Sequence, residues 1–525
     1  MSGAMRPVDA PTLKAWLHDG AEIALLDVRE HGQFGEAHPF YAVPLPYSRL
    51  ELEIGRLVPR RATRIVLLDQ GDGVALRAAA RLEAMGYDSV HALEGGATAW
   101  KAAGYELFAG VNLPSKSFGE MVEHVYGTPH ITAPELAARQ ARGDKLVVLD
   151  GRPVDEYRKM TIPGSICCPN GELALRIAAL ASHPETTIVV NCAGRTRSII
   201  GAQTLRHFGV PNPVLALENG TQGWFLADLP LDHGADRLYP APAGDMVEAR
   251  SRAEAHAARA EVGWADARTL TAWMGDPARS TFLCDVRTPE EFAAGSLPGA
   301  QSAPGGQLLQ ATDQYVGVRG ARLVLFDSEG VRALMVAAWL RQMGWDAFVL
   351  TEGLAASLPL PPPTAKPALP SLALAAAAEL PGLMAAGAAL LDLRSSMAYR
   401  AGHLAGARWA IRPRLDRVSA PSGALVLIAA EGDLARLAAL DLAERGIVAT
   451  HWHRGDPASW RAAGLAVEAT PHDPRDADCI DFLFFVHDRH DGNKAAARQY
   501  LAWEMGLIEK LDGAERAAWR FLPPG

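Results

Sequence analysis

An α/β chain of tandem modules is the architecture this sequence predicts, and three observations predict it. A block is written four times at nearly constant spacing, short β-branched runs alternate inside each block with longer Ala/Leu/Arg stretches, and joints rich in proline or glycine separate the blocks. Strands separated by helical stretches of this length imply a mainly parallel sheet covered on both faces. At 525 residues the chain is too long for one core and suits about four domains of roughly 100–150 residues.

Each block opens with an apolar run ending in Asp-x-Arg, with an aromatic seven residues after the Asp: Asp27, Arg29 and Phe34; Asp150, Arg152 and Tyr157; Asp285, Arg287 and Phe292; Asp392, Arg394 and Tyr399. A second apolar run ends at Asp69, Cys192, Asp327 and Ala429, 42 residues after the first Asp in three blocks and 37 in the fourth. A glycine follows 17 residues later every time, at Gly86, Gly209, Gly344 and Gly446. Because the Asp-x-Arg pair recurs in all four blocks, it marks fold stabilisation, through a salt bridge or a bond to backbone carbonyls.

In the second block the pattern predicts strands at 145–149, 187–191 and 214–217 and helices at 171–180 and 198–208. Composition shifts at 109–118, 240–247 and 359–370 place the joints, the last as a stiff proline spacer. The modules are expected at 1–113, 118–240, 248–360 and 371–470, with a C-terminal helical segment at 471–525. In that tail, residues 493–511 read as a helix whose apolar face carries Tyr500, Trp503, Leu507 and Leu511, expected to dock on the fourth module.

A net charge of −9 gives no global basic field, so nucleic acid and anionic membrane are not expected partners. No stretch of about 18 apolar residues occurs and the first twenty residues hold no secretory apolar run, so a soluble cytoplasmic protein is expected. Five cysteines in a chain this large make no disulfide framework.

Cys192 stands at the carboxyl end of a predicted parallel strand, where ligands of open α/β sheets collect. The loop from Cys192 through Ala193, Gly194, Arg195, Thr196, Arg197 and Ser198 runs into a helix, which turns backbone N–H groups toward one point and favours an anion there. Three expectations follow: a thiol pKa below the free value, Arg195 and Arg197 supplying bidentate donors, and Gly194 letting the backbone turn. A buried structural cysteine beside two solvated arginines is the plainer alternative.

The segments 150–157, Ile162-Pro163-Gly164-Ser165 and Leu217-Glu218-Asn219-Gly220 with Trp224 resemble the rhodanese family, and related fragments recur at 93–100, 297–300 and 402–407. The resemblance extends over residues 1 to about 470. It implies that Cys192 is the nucleophile and persulfide carrier, that the amides of 193–198 hold the persulfide and departing sulfite, and that Arg195 and Arg197 orient the donor. It also implies a small sulfur donor (thiosulfate or a persulfide), a cyanide or thiol acceptor or an acceptor protein, and no metal or organic cofactor. Two departures from the family pattern stand out: Gly194 is third in the loop where the family usually has glycine fourth, and Cys167 and Cys168 precede Pro169. A cysteine phosphatase of similar topology needs Cys-x5-Arg, but the sixth residue after Cys192 is Ser198.

Asp69, Asp327 and Ala429 cannot form a persulfide, so the first, third and fourth modules are expected to be inert, with the two aspartates filling their own anion cradles. Cys167 and Cys168 are accessory-thiol candidates, more often small buried apolar residues. Cys284 fits a buried strand. His487, Asp488, Arg489, His490 and Asp491 complete no recognised ligand set and read as a solvated or capping cluster. The competing function is a sulfur relay or sensor scaffold whose inert modules bind partner proteins.

Overall fold

A computed structural model describes residues 6–361, 367–484 and 492–523. It contains four five-stranded sheets with one strand order, 1-5-4-2-3 within each repeat, all paired in parallel. In the second sheet the order is His130–Ile131, Val214–Leu217, Thr187–Asn191, Leu146–Asp150, Ile166–Cys167. The two central strands are continuous β-branched and Leu runs, as a sheet covered on both faces requires, and Ile188, Val189 and Val190 have no solvent exposure. A two-stranded antiparallel ribbon, His403–Leu404 with Val467–Glu468, is added in the fourth module.

The structure meets the predicted pattern of the second block closely. Strands Thr187–Asn191 and Val214–Leu217 have the predicted bounds, Leu146–Asp150 lies one residue later, and the helix Thr196–Phe208 begins two residues earlier. The stretch 171–180 opens as a 3-10 turn, Asn170–Glu172, before the helix Leu173–Leu180. The recurring glycine is explained in each copy: Gly86, Gly209, Gly344 and Gly446 have φ of +87°, +77°, +86° and +75°, the left-handed conformation that ends a helix.

Asp-x-Arg uses both expected devices at once. Each Arg folds back on its own Asp, with Nε–Oδ1 distances of 2.9, 2.8, 2.9 and 3.0 Å for Arg29, Arg152, Arg287 and Arg394. Each also donates to the carbonyl eight residues further on, that of Ala37, Met160, Gly295 or Gly402. All four aspartates are fully buried, so the fork and its carbonyl satisfy a charge that would otherwise be very costly inside the fold.

Inside the joint at 109–118 a 14-residue helix, Leu113–Tyr126, begins, with Pro114 in the first turn, where a missing N–H costs nothing. One expectation needs correction. The tail does not dock on the fourth module as a whole. Its beginning does, through Arg400 to the Pro474 carbonyl (2.9 Å) and Asp481 to the Ser396 N–H (2.8 Å). The predicted helix then breaks at Gly506 into Lys494–Met505 and Leu507–Lys510, and these pack on Leu113–Tyr126 and on the second module's helix Gly220–Leu226. The physical reason is where apolar surface remains to be covered. One continuous core runs through the first three sheets and takes in Leu507, Leu511, Trp519 and Leu522, whereas the fourth module closes its own smaller clusters. The cluster from His487 to Asp491 lies outside the described residues, as does part of the proline spacer. Among the described residues no helix is long and apolar enough to cross a membrane.

Buried charges stitch the modules together. Arg332, without solvent exposure, reaches Glu172 of the second module (2.9 Å) and Glu291 of its own (2.7 Å), while Arg412 of the fourth module holds Glu51 of the first at 2.6 Å.

Candidate functional site

Cys192 directly follows the strand Thr187–Asn191, and its side chain is buried, 2% exposed. The loop is clamped from the helix Gly220–Leu226: Thr221 N–H donates to the Cys192 carbonyl at 2.8 Å and Gln222 N–H to the Ala193 carbonyl at 3.1 Å. Ser198 Oγ, one turn into the following helix, lies 3.1 Å from Cys192 Sγ and donates to it. Thr196 is buried where the helix Leu113–Tyr126 presses on the loop at Gly119.

The other copies show what such a loop does with an anion. Asp69 Oδ1 accepts from Gly71 N–H (2.8 Å) and Oδ2 from Gly73 and Ala75 N–H (3.1 and 3.0 Å). Asp327 accepts from Gly330, Val331 and Arg332 N–H at 2.9, 3.1 and 2.9 Å. Each carboxylate therefore fills its own cradle, as the sequence suggested. Ala429 brings no anion, and its loop is shorter, with the helix Gly432–Ala443 beginning three residues later.

The loop's arginines are engaged within the protein, and its thiol shifts against expectation. Arg195 is paired within the protein: Nε forks onto both Glu120 oxygens (2.9 and 3.1 Å), and Nη2 bonds Glu123. Arg197 is likewise committed, bidentate to Glu156 at 2.7 and 2.8 Å. The partners lie 75, 72 and 41 residues away in sequence, so no local motif announces them. The Cys192 thiol is pushed up rather than down. Burial raises its pKa, Arg197 and the Ser198 hydroxyl pull it back, and Glu504 adds to the rise. Gly194 avoids a Cβ clash, as expected: a Cβ there would stand 2.7 Å from Glu504 Oε2 and 3.3 Å from a Tyr500 ring carbon.

Glu504 and Tyr500 are the residues that sequence reading missed, because their helix was placed on the wrong module. The one signal available was the displaced glycine, which says that something lies close by but not what. A cavity of about 400 Å³ adjoins the loop at Arg197, lined also by Lys116, Arg152, Lys159, Glu156 and Tyr500. Cys167 and Cys168 are both fully buried, and burial pushes the Cys167 thiol up to about 12 and that of Cys168 well above its ordinary value. The strand Leu146–Asp150 separates theirs from the Cys192 strand. Their segment reaches the loop instead through Asn170, whose Nδ2 donates to the Arg197 carbonyl at 2.8 Å. Cys284 is buried in its strand as expected, and Cys479 is buried near the start of the tail.

The family model for the Rhodanese-like domain matches residues 9–103, 132–227 and 266–357, and the fourth sheet repeats the same strand order outside those matches. A crystal structure of thiosulfate sulfurtransferase from Pseudomonas aeruginosa is 42% identical, with a TM-score of 0.90, covering 99% of this chain and 100% of that one. The thiosulfate sulfurtransferase of Azotobacter vinelandii is 25% identical over 229 residues, 36% of this chain and 83% of that protein. An HTH-type transcriptional regulator of Mycobacterium tuberculosis is 36% identical over 115 residues, 21% of this chain, and the match spans about half of that protein's length, 49%. With three repeats matched and a full-length likeness in sequence and fold, the chain belongs to the rhodanese family, as a rhodanese-type sulfurtransferase.

Proposed function

We propose that the chain moves a sulfane sulfur from thiosulfate or a related persulfide donor to a thiol or cyanide, through a persulfide on Cys192. The observation that carries this reading is positional. Cys192 occupies in the second module the place from which Asp69 and Asp327 each gather three loop N–H groups. A thiol at that point, with the amides of 193–198 around it, can carry a second sulfur whose negative charge the cradle stabilises.

In the first half-reaction the thiolate attacks the outer sulfur of the donor, the donor's S–S bond breaks, and sulfite leaves with the bonding pair. In the second, the acceptor attacks the bound sulfur and Cys192 departs as thiolate. The arginines act at one remove: Arg197 lowers the cost of the buried thiolate, while both fix the loop through their carboxylates. The first, third and fourth modules then serve as scaffold.

Intact-protein mass spectrometry after brief thiosulfate treatment tests the reading. The wild type is expected to gain one sulfur, Cys192→Ser to gain none, and cyanide to reverse the gain with release of thiocyanate. An unmodified wild type, or an adduct that survives in Cys192→Ser, would overturn the assignment.

A further inference from the structure

We infer that Glu504, delivered by the C-terminal helix, makes the Cys192 site choose among sulfur acceptors by charge, disfavouring those with an anionic group beside the reacting thiol. The inference rests on the persulfide reading above and extends it to the acceptor.

Glu504 is 2% exposed although it comes from a helix more than 300 residues away in sequence from the cysteine. Its two oxygens have different surroundings. Oε1 accepts from the Tyr500 hydroxyl at 2.8 Å and lies 3.7 Å from Lys116 Nζ, which itself donates to the Tyr500 hydroxyl at 2.6 Å. Lys116 also sits over the rings of Tyr500 and Trp503, at 4.7 and 4.4 Å. Oε2 has no hydrogen-bond partner among the described residues and faces the loop, 2.7 Å from where a Cβ on Gly194 would be. Gln222 Nε2 lies 3.6 Å from the same point, and neither polar atom of that buried side chain has a partner there either.

A buried carboxylate oxygen and a buried amide left unpaired on one spot is an arrangement a fold rarely tolerates without a use. Here they border the nucleophile's loop. The charge nearest Gly194 points the same way. Around the loop, Arg195 faces Glu120 and Glu123, Arg197 faces Glu156, and Lys116 is engaged on the Oε1 side of Glu504, while Arg152 and Lys159 line the cavity on the Arg197 side. The charged atom closest to Gly194 is Glu504 Oε2, so a group that comes up to the loop there meets a negative charge.

The step affected is discharge of the persulfide. The acceptor thiolate attacks the outer sulfur of Cys192–S–SH, the S–S bond breaks with its pair returning to Cys192, and the product leaves as R–S–SH. An acceptor with a carboxylate near its sulfur brings a second negative charge toward Glu504. One with an ammonium group is drawn in.

The test uses full-length enzyme loaded with thiosulfate and discharged by cysteamine, 2-mercaptoethanol or 3-mercaptopropionate, small thiols that differ chiefly in charge. Dividing each variant's rates by those of the wild type cancels the intrinsic reactivity of the thiols. Glu504→Gln keeps the shape and removes the charge, and is expected to raise the 3-mercaptopropionate rate relative to cysteamine about tenfold. Lys116→Gln is expected to move the same ratio in the opposite direction, which a general loss of packing would not do. One ratio shared by all three proteins would overturn the inference. A wild type that never loads sulfur would instead overturn the persulfide reading beneath it.

Discussion

The loops after Asp69 and Cys192 have the same parentage and opposite economies. In the first, the carboxylate takes up three N–H groups, and Gly71, two residues on, has φ +86° so that its own N–H can turn inward. In the second, Gly194 holds the matching position without a left-handed backbone, and its missing side chain makes room for Glu504 from a distant helix. One loop is complete in itself. The other is finished by the rest of the molecule, through Glu120, Glu123 and Glu156 on its arginines and Glu504 on its glycine. A cradle that must admit a substrate cannot be filled by its own anion, so its shape has to be held from outside.

The largest expected effect breaks the self-filled side of this comparison. Asp327→Ala would leave the N–H groups of Gly330, Val331 and Arg332 without their acceptor and is expected to cost about 3 kcal/mol locally. Hydrogen exchange of those amides should quicken by roughly 100-fold. Cys192→Ser, which removes only the Ser198–thiol contact, should leave its loop within about 1 kcal/mol of the wild type. Equal exchange at 330–332 in wild type and Asp327→Ala would mean that the carboxylate is a passenger in its loop.

Next in size is the externally held side. Gly194→Ala would drive a methyl group to within 2.7 Å of Glu504 Oε2, so that carboxylate, held on its other oxygen by Tyr500, is pushed back against its helix Lys494–Met505, at a cost of about 2 kcal/mol. Lifting that helix should expose Cys192, and its alkylation by iodoacetamide should quicken at least severalfold. If alkylation and thermal stability both stay at wild-type values, the helix has slack and the loop does not depend on it.

These two loops also mark how far the sequence could be read. The repeat, the strand Thr187–Asn191 and the self-filling of Asp69 and Asp327 were legible because each rests on neighbours in the chain: β-branched runs for the strand, and N–H groups within six residues for the carboxylates. The fate of Arg195 and Arg197 was not, because a guanidinium beside a cysteine looks the same in sequence whether it meets a substrate or Glu120. The tail misled for the same reason. Tyr500, Leu507 and Leu511 announce a buried face, but a periodic pattern names no partner, and the surface left uncovered belonged to the first three modules rather than the nearest one. The thiol's direction of shift followed from these misses, since an amide cradle with two free arginines would lower a pKa that burial among carboxylates raises.

That last difference yields the smallest predicted effect. The nucleophile is the thiolate, so a thiol held above its ordinary pKa by burial is mostly protonated at neutral pH, and each unit of pH below that value divides the reactive fraction by about ten, or about 1.4 kcal/mol. Thiosulfate keeps its charge from pH 6 to 8.5, so the loading rate should climb with a logarithmic slope near one across that range and show no plateau. Cys192→Ser serves as the control, since Cys167, Cys168, Cys284 and Cys479 are buried and their thiols are also pushed up. A plateau near pH 7 would mean that the loop amides and Arg197 outweigh burial. The second loop would then be closer to the Asp69 cradle, built to hold an anion even when empty, than to a site in which the charge is allowed only once substrate has arrived.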